Sequence, residues 1–146
     1  MFTDAERAFI GNAKQPGQAG LAHIATSTLK GMPHVVPLRA MMNEAGDKVL
    51  VLGNAMTQSY KYRQVQKNPQ VAIVWDALVT EPERGIKGIE VRGIAEIKHN
   101  PGDKDPHFEV TPTKVFSWGI NESAADSFEK KMGMDVSHLR NRPANA

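Results

Sequence analysis

Apolar and polar residues alternate along much of this chain, and the alternation is strictest in "GIEVRGIAEIK" at 88–98. There Ile89, Val91, Ala95 and Ile97 fall on one side and Glu90, Arg92, Glu96 and Lys98 on the other, with Ile94 alone breaking the polar side. A period of two describes a strand with one face on a core and the other in water. "LAHIATST" (21–28) and "PHVVPLRAMM" (33–42) read as two more strands, joined as a hairpin through "LKGM", where Gly31 supplies the turn chemistry. After a turn at "NEAGD", "KVLVLG" (48–53) adds a third, with connections as short as an antiparallel meander requires. "QVAIVWDA" (70–77) is apolar enough for a central strand, and "LVTEPERGIKG" after it reads as a loop. "HFEVTPTKVFSWGI" (107–120), beyond the polar loop "HNPGDKDP", is the last strand, bent near Pro112.

The period changes at three places. Thr3 and Glu6 have capping-box spacing, and Ala5, Phe9 and Ala13 form a stripe, so a helix is expected from Thr3 to about Lys14, ended by "QPGQAG". Residues 57–67 are polar, lack Gly and Pro and stop at Asn68-Pro69, which predicts a short helix crossing between strands. "ESAADSFEKKM" is a helix candidate near the end, followed by a frayed "RNRPANA". Six strands with few short helices define a mainly β (α+β) chain, an antiparallel barrel or sandwich. It divides into a barrel domain at 1–121 and a helical extension and tail at 122–146.

Composition narrows the function classes. A chain of 146 residues fits one domain with a proper core, and the absence of cysteine removes disulfides, thiolate metal sites and a cysteine nucleophile. Eighteen Lys and Arg against 16 acidic residues leave a net charge of +2, which gives nucleic acid little room. No stretch approaches a membrane span and the N-terminus has no apolar leader, so a cytoplasmic protein without membrane contact is expected. No GxGxxG, P-loop, HExxH or GxSxG occurs, and the five histidines share no metal spacing, so no metal is assigned.

Three features carry possible chemistry. "SYKYRQVQKNP" (59–69) places Lys61, Arg63 and Lys67 on the short helix; it is either a solvated face or, through Ser59, Lys61 and the free N–H groups of the first turn, an anion site. Pro37 interrupts a good strand, which puts that strand at an edge, a bulge or a ligand, and Arg39 shares its face with Val35, Pro37 and Met41. Phe116 and Trp118 share a face with Ile120, as core or as a platform for a flat ring; Trp75, on a central strand, reads as core.

In order and spacing these segments resemble the flavin and deazaflavin oxidoreductases of the pyridoxamine 5′-phosphate oxidase-like superfamily. The resemblance runs over about residues 3–121, through "GLAHIATST…GMPHVVPLRA", "SYKYRQVQKNPQVAIVWD", "GIKGIEVRGIAEI" and "TPTKVFSWGI". "GIEVRGIAE" followed by "SWGI" most resembles the deazaflavin branch, which uses coenzyme F420. The resemblance implies a six-stranded split β-barrel and a homodimer with two cofactor sites at the subunit interface. It implies that Ser59 and Lys61, with Arg63 nearby, hold the cofactor phosphate, and that Tyr60 stands where the family pattern has a second basic residue. The ring system would lie against Val36, Pro37, Leu38 and Arg39 and the turn from Gly53 to Thr57, with Trp118 close to the cofactor or the partner. The function implied is hydride transfer between F420, or FMN, and a small conjugated substrate. The rival is a non-catalytic barrel that binds a flavin, heme or another tetrapyrrole.

Overall fold

The computed structural model describes residues 1–11, 21–79 and 85–121; the expected helix at 122–132 and the end of the first helix lie outside them. The elements are α1 (Asp4–Gly11), β1 (Ala22–Ser27), β2 (Pro33–Met42), β3 (Val49–Leu52), a 3-10 turn at Met56–Gln58, α2 (Tyr60–Lys67), β4 (Gln70–Val79), β5 (Gly85–Lys98) and β6 (His107–Trp118). All six strands pair antiparallel and close into a barrel in the order β1-β2-β3-β6-β5-β4. This is the predicted split β-barrel, with the 42 to 49 turn and the Gly31 turn (φ 87°) where the sequence puts them.

Inward-facing residues of every strand fill the barrel. Ile24, Val49, Val51, Ile73, Trp75, Ile89, Val91, Phe108 and Val110 are inaccessible to solvent, so Trp75 is core as expected. α1 lays Phe2, Glu6, Phe9 and Ile10 against this core; the buried stripe therefore follows those residues, and Ala5 is exposed. β2 pairs with β1 along Pro33–Leu38 but meets β3 only from Arg39 to Met42. Its first half thus has one unpaired edge, which is where a proline without an N–H costs least.

Five features differ from the sequence reading. The described residues of the expected loop at 78–88, which are 78, 79 and 85–88, are strand, because β4 and β5 continue their ladder through Asp76↔Gly88, Leu78↔Ile86 and Val79↔Gly85. β3 is shorter than 48–53, and β6 ends at Trp118. The helix expected from Thr57 begins instead at Tyr60, because Ser59 is extended (φ −79°, ψ 151°) and caps α2, its Oγ accepting from the Tyr62 N–H at 3.3 Å. Finally, the pairing shifts register between Arg92 and Gly93: Arg92 faces Lys114 and Gly93 faces Pro112, leaving Thr113 as an extra residue. Such a bulge swaps the faces of a strand. Phe108 and Val110 point inward before it and Val115 after it, so Phe116 and Trp118 lie outside the barrel, half-buried, and not in the core.

Candidate functional site

β2, the turn after β3 and the start of α2 form one continuous band. Arg39 lies opposite Leu52, which places it beside the turn that starts at Gly53. Lys61, on the first turn of α2, reaches back over the same turn: a methyl built on Gly53 would stand 3.8 Å from Lys61 Nζ and 3.3 Å from Met56 Cε. Met56, wholly buried, pins the turn from below, and its N–H donates to Asp105 Oδ1 at 3.3 Å. Between them Ala55 adopts a left-handed backbone (φ 52°, ψ 42°), a conformation that an alanine holds only under constraint.

The charges in the band are cationic. Arg39, Lys61 and Arg63 form no ion pair with any carboxylate among the described residues. Burial pushes the Lys61 ammonium below its ordinary pKa, since partial desolvation disfavours the charged form. A half-buried cation without a countercharge, beside a glycine and the N-terminal N–H groups of a helix, fits an anionic oxygen group such as a phosphate.

Each predicted residue has a definite place. Val36 and Leu38 turn inward and pack on the core, whereas Pro37 and Arg39 are exposed on the outer face, so the β2 quartet offers a ligand two side chains and a backbone edge. Thr57 is exposed on the 3-10 turn. The Ser59 hydroxyl is already engaged, donating to Met56 O at 2.6 Å while it caps α2. Tyr60 stacks edge-on against His34 of β2, ring centroids 4.8 Å apart, and the Arg63 guanidinium lies 5.7 Å from the centroid of the Tyr60 ring. Lys67, in the last turn, is exposed.

Trp118 belongs to a second group. It lines an open cavity of about 270 Å³ on the outer face with His23, Ala25, Val35, Ala72, Val74 and Glu90. Its indole rests on Gly88, where a Cβ would come within 2.3 Å of the ring. That close approach explains a glycine inside a strand, the sequence signal by which this contact is recognisable. Sequence alone does not single out His34, Asp105 or Gly88, since their partners are distant in the chain. No group of three or more metal-ligating side chains occurs among the described residues, and no helix among them is long and apolar enough to cross a membrane.

The barrel has known counterparts. The sequence pattern of the pyridoxamine 5′-phosphate oxidase family matches residues 2–139, and the chain belongs to that family. Its relatives include oxidoreductases. The 5a,11a-dehydrotetracycline/5a,11a-dehydrooxytetracycline reductase of Streptomyces rimosus is 28% identical over 107 residues, 69% of this chain and 75% of that protein. Among solved structures, a conserved hypothetical protein of Mycobacterium tuberculosis superposes over 100% of this chain and 96% of its own with a TM-score of 0.62 at 15% identity. A heme binding protein from Mycobacterium smegmatis superposes over 82% of this chain and 55% of its own, with a TM-score of 0.59 at 15% identity.

Proposed function

We propose that this chain is a cytoplasmic, homodimeric oxidoreductase that holds F420, or alternatively FMN, and passes a hydride between the ring and a small conjugated substrate. One observation carries the reading: Lys61, half-buried beside Gly53, has no carboxylate partner among the described residues. The family and the dehydrotetracycline reductase from Streptomyces rimosus support the redox class.

The bound ring would supply the hydride chemistry. The residues of this chain would bind and orient it. Lys61, with the Tyr60 and Lys61 N–H groups at the start of α2, holds the phosphate; Arg39 and Arg63 add positive potential at the mouth; and the β2 edge at Pro37 gives the ring a flat side. Ser59 contributes by fixing the helix start. Trp118, on the other group, would serve the site of the partner subunit.

Titration of the purified protein with F420 and with FMN, followed by ring fluorescence and tryptophan quenching, tests this directly. One of the two binds at micromolar affinity or tighter; binding of neither overturns the proposal. Lys61→Ala removes a charge-assisted hydrogen bond and weakens that binding by about 10- to 100-fold. Unchanged affinity would mean the phosphate lies elsewhere.

A second reading draws on His23, which lines the apolar cavity beside Trp118. In a non-catalytic heme or tetrapyrrole carrier that imidazole would be the axial ligand, and added heme would give a Soret band that His23→Ala abolishes.

A further inference from the structure

Glu6 is a buried acidic residue, only 6% exposed, and its carboxylate bonds both at the start of its own helix and beyond it. Oε2 accepts from the Thr3 N–H at 2.9 Å, closing the capping box with the Thr3 hydroxyl, which accepts from the Glu6 N–H at 3.1 Å. Oε1 does something a helix cap does not require. It accepts from Ser117 Oγ at 2.6 Å and from Asn121 Nδ2 at 3.2 Å, across 111 and 115 residues of sequence. Asn121 also accepts from Thr3 Oγ1 at 2.9 Å and donates to Ser117 Oγ at 3.2 Å, so the four side chains form one closed network.

Trp118 stands inside the span that this network grips. Successive strand residues point to opposite faces, so Ser117 is held from the α1 side while the Trp118 indole lies on the outer side against Gly88. A carboxylate that accepts several hydrogen bonds in a buried position is directional and rigid, and its removal strands the donors that face it. We propose that Glu6 is a positioning residue for Trp118. By fixing the backbone at Ser117 and Asn121, α1 sets where the indole wall of the outer-face cavity stands.

The test labels the two tryptophans, Trp75 and Trp118, with 5-fluorotryptophan and follows them by fluorine NMR, with the Trp118 signal assigned through Trp118→Phe. Trp75, sealed in the core, is the internal reference. In Glu6→Ala the Trp118 resonance shifts and broadens while that of Trp75 stays. Ser117→Ala leaves the capping box intact and moves the Trp118 resonance in the same direction; it also serves if Glu6→Ala fails to fold. Glu6→Gln keeps an oxygen for Ser117 and restores the Trp118 signal toward wild type. If α1 is merely capped by Glu6, the outcome differs: Glu6→Ala lowers the melting temperature, and neither it nor Ser117→Ala moves Trp118. That result overturns the inference.

A ligand arm rests on the cofactor reading above. In Ser117→Ala the affinity for whichever of F420 or FMN binds falls about fivefold, equivalent to ~1 kcal/mol. Should wild type bind neither, the cofactor reading fails, while the resonance arm still decides the role of Glu6.

Discussion

At the scale of single residues, Lys61 sets function against stability. Its ammonium is partly desolvated without a compensating carboxylate among the described residues, and its pKa is lowered from the ordinary 10.5. Between that lowered value and 10.5 the unfolded chain binds more protons than the folded one, so stability rises with pH across this window. Below the window the full desolvation penalty is present. Lys61→Met should therefore be at least as stable as wild type at about pH 7 in a urea melt, and its advantage should shrink by about pH 10. The same substitution should lose the 10- to 100-fold in cofactor affinity expected for the alanine variant. A Lys61→Met protein that is clearly less stable at neutral pH would show that the ammonium has a partner in the fold.

At the scale of elements, the turn from β3 to α2 is held in an unfavourable backbone by two anchors, the buried Met56 and the Asp105 carboxylate on its N–H. A left-handed alanine costs about 1–2 kcal/mol that glycine avoids. Ala55→Gly should then raise the melting temperature by a few degrees, less the entropy that glycine adds to the unfolded chain. Asp105→Ala should cost about 1 kcal/mol in stability, and it should weaken cofactor binding by loosening Gly53 and Lys61. Adding Ala55→Gly to Asp105→Ala should recover more stability than the same change adds to wild type; an additive pair would show that the two do not share the turn. Elements of this kind were only partly legible in the sequence. Strands with strict alternation, such as 88–98, show in the pattern because half their residues must face the core. The Thr3–Glu6 cap shows because both partners lie within one helical turn. The start of α2 was misplaced by three residues, since nothing polar or apolar separates Thr57 from Tyr60; the capping geometry of Ser59 decides it. The outward placement of Trp118 depends on the extra residue at Thr113, which inverts the face of everything after it. Leu78, Val79 and the residues from Gly85 to Gly88 read as parts of a loop because of the Glu, Pro and Gly around them, but they pair within the β4–β5 ladder.

At the scale of the whole molecule, the register of the barrel lays out one continuous outer face. Reading across the strands, one row is Phe116, Glu90, Val74, His23 and Pro37, and the next is Lys114, Arg92, Ala72, Ala25 and Val35. Alanines at the middle of the second row make a trough, and Val35 at its end is 65% exposed; Ile94, farther along the same face, is 43% exposed. The charges gather at the β5–β6 side, where Glu90 pairs with Arg92 at 2.9 Å and the cations Arg92 and Lys114 lie over the Phe116 ring. An apolar trough with a charged border has the composition of a protein interface more than of a solvated wall. In a homodimer this face would bring Trp118 of each subunit toward the cationic band of the other, which would complete two equivalent sites. Ala72→Arg tests the arrangement, because it fills the trough and adds a third cation beside Arg92 and Lys114. Light scattering should show dimers for wild type and monomers for Ala72→Arg, with circular dichroism unchanged because the side chain lies outside the core. The monomer should also lose cofactor affinity although Lys61 is intact, since half of each site would leave with the partner. A dimeric Ala72→Arg protein would put the interface on another face and leave Trp118 to serve its own subunit.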